Sequence, residues 1–451
     1  MIGFDYGTSN CSVASCVAGR PHIIPLVGNA KYLASNLYAP ARDIIPHWLY
    51  QQLNGEAQVA YKESRSNQLQ KAQGSLRELA FDGIDNRLLF GQAALDKYLE
   101  DPEEGYYIKS PKSFLGSSDL QPQQIQLFED IVACMMGNVK KLTEKQLGHE
   151  INQTVIGRPI NFQGLHGEES NRQAINVLTK AAKRVGFRDV EFQFEPVAAG
   201  FEFEASLTSQ KRVLVVDIGG GTSDCSMLLM GPELIKSDER SGHLLAHTGV
   251  RVAGNDFDIQ LALQGIMPSL GMKSLLKTGI PMPIASYRQA VSINNINEQT
   301  EFYSSKNRRH LVQLSHDAKE KHLVERLIDV HDQKLSYQLV NGAEQAKINL
   351  SDKLVHEINF PELDSLSIDL TRELFKVANE RTLQHIGELM QLAVKQANCM
   401  PDVIFVTGGT AKSPVINDYI KQQIPNVPVV IGDHFGSVTS GLARWANKIY
   451  R

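Results

Sequence analysis

The chain is short of the residues that staple, anchor or electrify a protein. Its 451 residues hold only five cysteines and two tryptophans. Cys11, Cys16, Cys134, Cys225 and Cys399 are scattered, odd in number and free of any CxxC pair, so neither a disulfide framework nor a zinc site follows. Neither charge sign prevails: Lys+Arg 46 against Asp+Glu 50 leaves −4, and nothing invites nucleic acid electrostatically. No apolar run reaches membrane-spanning length, and Met1-Ile2-Gly3 runs straight into a strand, leaving no room for a signal peptide. The expectation is a cytoplasmic protein with neither nucleic acid nor membrane as a partner. GxxxxGK[ST] occurs nowhere, which excludes a P-loop enzyme, and no GxGxxG stands at a strand–helix turn. What remains is an ordinary globular composition, 42% hydrophobic and 21% charged, long enough for several domains or subdomains.

The most informative stretch is Arg212 to Met230, RVLVVDIGGGTSDCSMLLM. Two apolar runs of strand length flank a Gly-rich turn, which predicts a β-hairpin. Gly219, Gly220 and Gly221 let the backbone approach a ligand and turn N–H groups toward one point, a nest suited to phosphate oxygens. A carboxylate at a strand end, Asp217, suits a hydrated divalent cation. Alone, such a turn reads as a plain tight hairpin. The N-terminus shifts that reading: Asp5-Tyr6-Gly7-Thr8-Ser9-Asn10-Cys11-Ser12 matches Asp217-Ile218-Gly219 and Thr222-Ser223-Asp224-Cys225-Ser226, the second copy carrying two extra glycines. Two such hairpins 212 positions apart suggest a duplicated domain with a phosphate-cradling turn in each half. Cys11 and Cys225, in the strands leaving the turns, read as small buried thiols.

The remaining elements alternate. Residues 63–78 read as a polar exposed stretch, and Lys112 in YYIKSPKSFLG as a solvated loop lysine. Residues 121–142 carry a helical core stripe, 153–160 a strand, 168–185 a helix and 190–194 a strand running into Glu195-Pro196. Glu195 is open to two readings, a first-turn acid favoured by the helix dipole or a group at a ligand crevice. Residues 265–340 are the least legible; His310, His316, His322 and His331 read there as solvated helix-face residues. Ala343 to Ser351 reads as a polar helix, Leu374 to Ala397 as one long amphipathic helix, 403–406 as a strand meeting Thr407-Gly408-Gly409, and 437–448 as a final helix. Strand, glycine turn and helix alternate in both halves, predicting α/β layering.

In order, IGFDYGTSN, KSFLG, FEPVAAG, DIGGGTSD, GVRVAGNDFD, EQAKINLS and VTGGTAKSP resemble the motifs of the actin-like ATPase superfamily. They are most similar to the nucleotide-binding domain of the seventy-kilodalton heat-shock (DnaK-like) chaperones, in particular the short YegD-type chaperone-like proteins of bacteria. The resemblance implies an α/β actin-like ATPase fold of two duplicated ribonuclease-H-like lobes, each with an accessory subdomain, around a central nucleotide cleft. Residues 1–200 would form lobe I and 201–451 lobe II, with an enlarged accessory subdomain at about 258–360. The sequence ends about ten residues beyond Gly441, so no C-terminal peptide-binding domain is expected.

The same resemblance assigns roles. Asp5 and Asp217 would hold Mg²⁺ through water, with Asp224 orienting that network. Gly7, Thr8, Ser9, Asn10, Gly219, Gly220, Gly221 and Thr222 would bind phosphate. Lys112 would stand near the γ-phosphate and Glu195 would orient the attacking water, Asp217 and Thr222 completing the catalytic set. Gly254, Glu344, Lys347 and Ser351 would serve the adenosine from one side, and Gly408, Gly409 and Lys412 from the other. Lys412 stands where the family often has arginine, so a stacking guanidinium is absent. The implied function is Mg²⁺-dependent binding and slow hydrolysis of ATP, with ADP as the other nucleotide, K⁺ as a further ion and an unidentified protein client or co-chaperone. A nucleotide-dependent switch without turnover, a small-molecule kinase of the same superfold and a filament-forming protein are the rival readings. Asp256 and Glu344 stand 88 positions apart, which implies an insertion before the adenosine helix.

Overall fold

The computed structural model describes residues 1–102, 104–118, 120–162, 167–235, 241–432 and 436–450. Two sheets repeat one plan. In the first, β1 (Ile2–Tyr6), β2 (Asn10–Val17) and β3 (Arg20–Ile23) form an antiparallel meander, with the short β4 (Leu33–Ala34) also paired to β2. A small side sheet follows, built from β5 (Asn36–Ala39), β6 (Leu89–Phe90) and β7 (Tyr106–Lys109). Helices α1 (Ile45–Gln52), α2 (Gly55–Ser64), α3 (Ser66–Phe81) and α4 (Gln92–Glu100) accompany it. The chain then returns through α5 (Pro122–Leu147), β8 (Gln153–Arg158), α6 (Glu168–Arg184), β9 (Asp189–Phe194) and α7 (Glu195–Glu204). The sheet order is β3-β2-β1-β8-β9, the last two strands parallel to β1.

The second sheet is drawn from β10 (Lys211–Ile218), β11 (Ser223–Met230), β12 (Leu244–Val250), β15 (Val403–Thr407) and β16 (Val429–Ile431). Its order, β12-β11-β10-β15-β16, and its strand directions copy the first. Val213 to Val216 are fully buried, as expected for a strand covered on both faces. Two helices are exchanged between the sheets. Helix α7, which continues from the first sheet, packs on β10 and β11, while the C-terminal α17 (Gly436–Ile449) lies on β1, β2 and β8. They cross face to face, and one core joins Val197 and Ala198 of α7 to Val438 and Leu442 of α17 and to Val155, Val215 and Phe405 of the sheets. A β-carbon on Gly441 would sit 1.7 Å from the Ala198 carbonyl oxygen, so only glycine permits this crossing.

By its contacts the chain divides into two compact units. Both sheets lie in the first, made of Met1–Arg251, Glu388–Ala411 and Gln423–Arg451. The second holds Val252–Gly387 and Lys412–Gln422. It contains α8 (Gly254–Leu261), α9 (Ala285–Val291), α10 (Ile296–Phe302), α11 (Ser305–Asp317), α12 (Lys321–Asp332) and α13 (Ser336–Asn349). The hairpin β13 (Val355–Phe360) and β14 (Leu366–Thr371) and helix α14 (Arg372–Ala378) follow, before α15 (Glu380–Ala397) returns to the first unit. Helix α16 (Pro414–Gln423) supplies nearly all of the Lys412–Gln422 segment.

Residues 63–78 are mostly exposed as expected and run from α2 into α3, but Arg65 at the break between those helices is buried against Asp130 at 3.0 Å and Glu129 at 3.3 Å. Two sequence expectations are corrected. The single helix expected over Leu374 to Ala397 is broken at Asn379, whose buried amide donates to the Phe257 and Phe375 carbonyls. The apolar periodicity runs on through that break and hides it. His331 is buried rather than solvated: its Nδ1 lies 2.8 Å from Asp332 and its ring packs on Phe302 and Tyr303. His310, His316 and His322 are exposed as expected.

Candidate functional site

Both hairpin turns lie in the first unit. Asp5 pairs across to Ser12 and Asp217 to Asp224, so each turn holds four residues between its last paired positions. The two extra glycines read from the sequence are therefore no insertion. In space Ser12, not Asn10, is the counterpart of Asp224. Gly219, Gly220 and Gly221 all keep φ outside the left-handed region, so their role is steric. A β-carbon on Gly220 would stand 2.1 Å from Ser9 Oγ and 3.0 Å from Ser9 N. One on Gly221 would meet Thr8 Cγ2 at 3.0 Å and Oγ1 at 3.1 Å. The glycines exist because the first turn lies against the second.

Ser35, which the sequence reading passed over, braces the first turn. Its N–H donates to Ser9 O at 2.8 Å, its hydroxyl to Gly7 O at 2.7 Å, and its carbonyl accepts from Ser110 N at 2.7 Å. Ser110 adopts a left-handed φ of 56°, which redirects the chain into the turn Pro111–Phe114. That turn carries Lys112 inward: the lysine expected to be solvated is buried, its Nζ 2.5 Å from Glu195 Oε1. Glu195 occupies the first position of α7, and Gly157 beside it has room for little more than hydrogen, since a β-carbon there would lie 3.2 Å from Glu195 Cγ. The second turn is braced by Gly219 N donating to Thr222 O at 3.0 Å and Thr410 Oγ1 to Gly219 O at 3.5 Å. Gly408 passes beneath it with φ 94°, where a β-carbon would strike Ile218 O at 2.2 Å.

Asp224 accepts from Ile160 N at 3.0 Å and from the Thr222 hydroxyl. Ile160 is held in turn by Arg158, which donates to its carbonyl at 3.2 Å and stacks over Phe194 at 4.8 Å. Neither residue is signalled by a motif. Desolvation, then the charge of Glu195, pushes Asp5 up to about 7 against the opposing pull of Lys112. Desolvation and Glu195 likewise raise Asp224 to about 7, opposed by the Ile160 N–H and Thr222. Asp217 is raised further, by burial first and then by Glu195, Asp224 and Asp5. Burial works against the Lys112 ammonium, but Glu195 and Asp5 outweigh it and hold the lysine above its usual value. The cluster thus sets four carboxylates around one ammonium. Added positive charge would favour the ionised forms of Asp5, Asp217 and Asp224.

The expected adenosine residues fall partly in the second unit. There Lys347 of α13 pairs with Asp258 of α8 at 2.8 Å and donates to Gly254 O at 3.3 Å, while Ser351 Oγ donates to Lys347 O at 3.5 Å. Glu344 lies on the same helix, one turn before Lys347, and Lys412 is exposed at the end of the turn Gly409–Lys412. Gly408 and Gly409 lie in the first unit. No helix among the described residues is long and apolar enough to cross a membrane.

A family model described as Hsp70 protein matches residues 112–262, which span Lys112, Glu195 and the second hairpin. The chain is 24% identical over 441 residues to the chaperone protein dnaK3 of Synechococcus elongatus, covering 95% of this chain and 47% of that protein. It is 24% identical over 441 residues to the chaperone protein DnaK 1 of a Synechococcus species, with the same coverage. It is 27% identical over 335 residues to the chaperone protein DnaK of Thermosipho melanesiensis, covering 70% of this chain and 44% of that protein. The chain spans about half the length of the curated relatives it matches. With two sheets of one topology, exchanged helices and these matches across most of its length, the chain has an α/β fold consistent with the actin-like ATPases and is similar to the Hsp70/DnaK-like proteins.

Proposed function

We propose that the chain binds ATP with Mg²⁺ and hydrolyses it slowly, as a chaperone-type ATPase of the kind its relatives' names indicate. The observation that carries this reading is the convergence of both hairpin turns with the Lys112–Glu195 pair in one unit. Thr8, Ser9 and the turn Gly219 to Thr222 would border the phosphate oxygens, and Lys112 would neutralise charge on the terminal one. Glu195 would orient water for in-line attack.

The residues present fit Mg²⁺. Asp5, Asp217 and Asp224 are hard oxygen donors whose carboxyls are pushed upward by burial first and then by the charge of Glu195, and a divalent cation would oppose that. Among the described residues no set of three or more His, Cys, Asp and Glu makes a ready cage. That suits an ion held by one or two carboxylates, water and phosphate. When bound, the ion would supply charge neutralisation on the phosphates. Glu344, Lys347, Ser351, Gly254, Gly408, Gly409 and Lys412 would contact the nucleoside, in a two-lobed arrangement divided near residue 200. Likeness to the YegD type and a client or co-chaperone belong to the same proposal.

The short Lys112–Glu195 contact favours a second reading, a nucleotide-dependent switch with little turnover, because a carboxylate neutralised by an ammonium is a poor acceptor of a proton from water. Phosphate release by wild type and Glu195→Gln separates the two. Hydrolysis predicts a fall of about a hundredfold in the variant with nucleotide binding retained. Equal, background-level rates would leave the switch.

A further inference from the structure

Ser113 follows Lys112 in the turn Pro111–Phe114, and the reading above gives it no part. Its side chain is 2% exposed, yet its Oγ has no hydrogen-bond partner. Buried hydroxyls are almost always paired, so an orphan beside a cluster of charged groups points to a missing acceptor. Its direction is fixed by the backbone. Ser110 turns left-handed, Ser113 N donates back to Ser110 O at 2.9 Å, and the hydroxyl is left as the residue's one free donor. That hydroxyl faces the second glycine turn: it would lie 3.3 Å from a β-carbon on Gly221, the same point that Thr8 Oγ1 approaches to 3.1 Å. Two hydroxyls, from two separate segments of the first half, therefore border one glycine of the second.

We propose that Ser113 Oγ–H donates to a non-bridging oxygen of the terminal phosphate of a nucleoside triphosphate bound alongside Thr8 and Gly221. The position at the chain's reactive end follows from its neighbour. Lys112 directs its ammonium to Glu195, so the pair marks where the last phosphate and the water meet, and Ser113 is one residue from it on the same rigid turn. The lysine then supplies charge and the serine supplies direction, a neutral donor that a diphosphate would not reach. This inference rests on the nucleotide reading above.

Ser113→Ala and wild type would be titrated calorimetrically, with Mg²⁺, against the β,γ-imido analogue of ATP and against ADP. Thermal unfolding of both proteins without nucleotide accompanies the titrations. Affinity for the imido analogue is expected to fall about tenfold and that for ADP less than about twofold. The unfolding temperature should hold or rise, because a methyl replaces an unsatisfied buried hydroxyl. Unchanged affinity for the analogue, an equal loss for both nucleotides, or a lowered unfolding temperature would each overturn the assignment. A wild type that binds neither nucleotide would bring down the nucleotide reading itself, whereas a variant with wild-type affinities sinks only the role of Ser113.

Discussion

The two hairpins share a strand plan, a turn length and a carboxylate at the same place, but they are furnished differently. The first turn brings side chains: Thr8 and Ser9 in the loop, and Ser12 facing Asp5. The second brings bare backbone and a second acid: three glycines in the loop, and Asp224 facing Asp217. Ser12 spends its hydroxyl on Thr439 of α17 at 2.5 Å, whereas Asp224 spends its carboxylate on Thr222 and the Ile160 N–H. Duplication supplied two equal frames, and division of labour followed. One turn presents donors, and the other makes room for them and collects negative charge.

Removing the room should have the largest effect on ligand binding. Gly220→Ala puts a β-carbon 2.1 Å from Ser9 Oγ and 3.0 Å from its backbone, so the two turns must part. Nucleotide affinity should drop by about a hundredfold, as for a displacement of about 1 Å at a positioned site. Equilibrium titration with a fluorescent nucleotide would show it, and wild-type affinity would mean that the turns do not act together.

Making the halves alike should cost less. Asp224→Ser gives the second strand pair the residue of the first, leaves the Ile160 N–H without its acceptor and removes one negative charge. Affinity for the Mg²⁺ nucleotide should weaken about tenfold. Stability without nucleotide should change little, because relief of the desolvated carboxylate offsets the cost of the unpaired Ile160 N–H. The two sheets also differ just before their fourth strands, where the first has Asn152 and the second Asp402, and the smallest effect is expected there. Asp402 takes 2.8 Å and 3.1 Å bonds from Arg212 N and Nε and one of 2.7 Å from its terminal nitrogen. The Arg212 hydrogen bonds pull its carboxyl from 3.8 down to about 2. A depressed folded value stabilises above the unfolded one and is lost as pH falls through the folded one. Arg212→Ala should therefore lower stability slightly at neutral pH, an effect reduced by solvent screening and lost as pH falls through about 2, in denaturant unfolding.

How much of this was legible follows from how far apart the partners are in the chain. The repeat of Asp5 and Asp217 is local and carried the duplication. Its register was misread because the glycines of the second turn replace residues of the first rather than adding to them. Lys112 read as solvated and Glu195 stayed open from the residues alone, since 83 positions separate them and neither sits in a glycine turn. Ser35 and Arg158 reach backbone carbonyls, which leave no compositional trace. The buried cluster of Arg65, Glu129, Asp130 and Arg184 is assembled from three separate segments, so no local pattern announces it. Asn379 broke a helix that the periodicity of its neighbours drew as continuous.

The crossing of α7 and α17 has a mechanical meaning. Each sheet is roofed by a helix that the other supplies, so severing the polypeptide after Glu204 would strip α17 from the first half and α7 from the second, baring apolar sheet on both. At the crossing, Gly441 lies on the Ala198 carbonyl with no side chain between them. Side chains cushion a contact by changing rotamer, and backbone on backbone has no such slack. Backbone on backbone therefore fixes the spacing of the two roofing helices more tightly than packed side chains would.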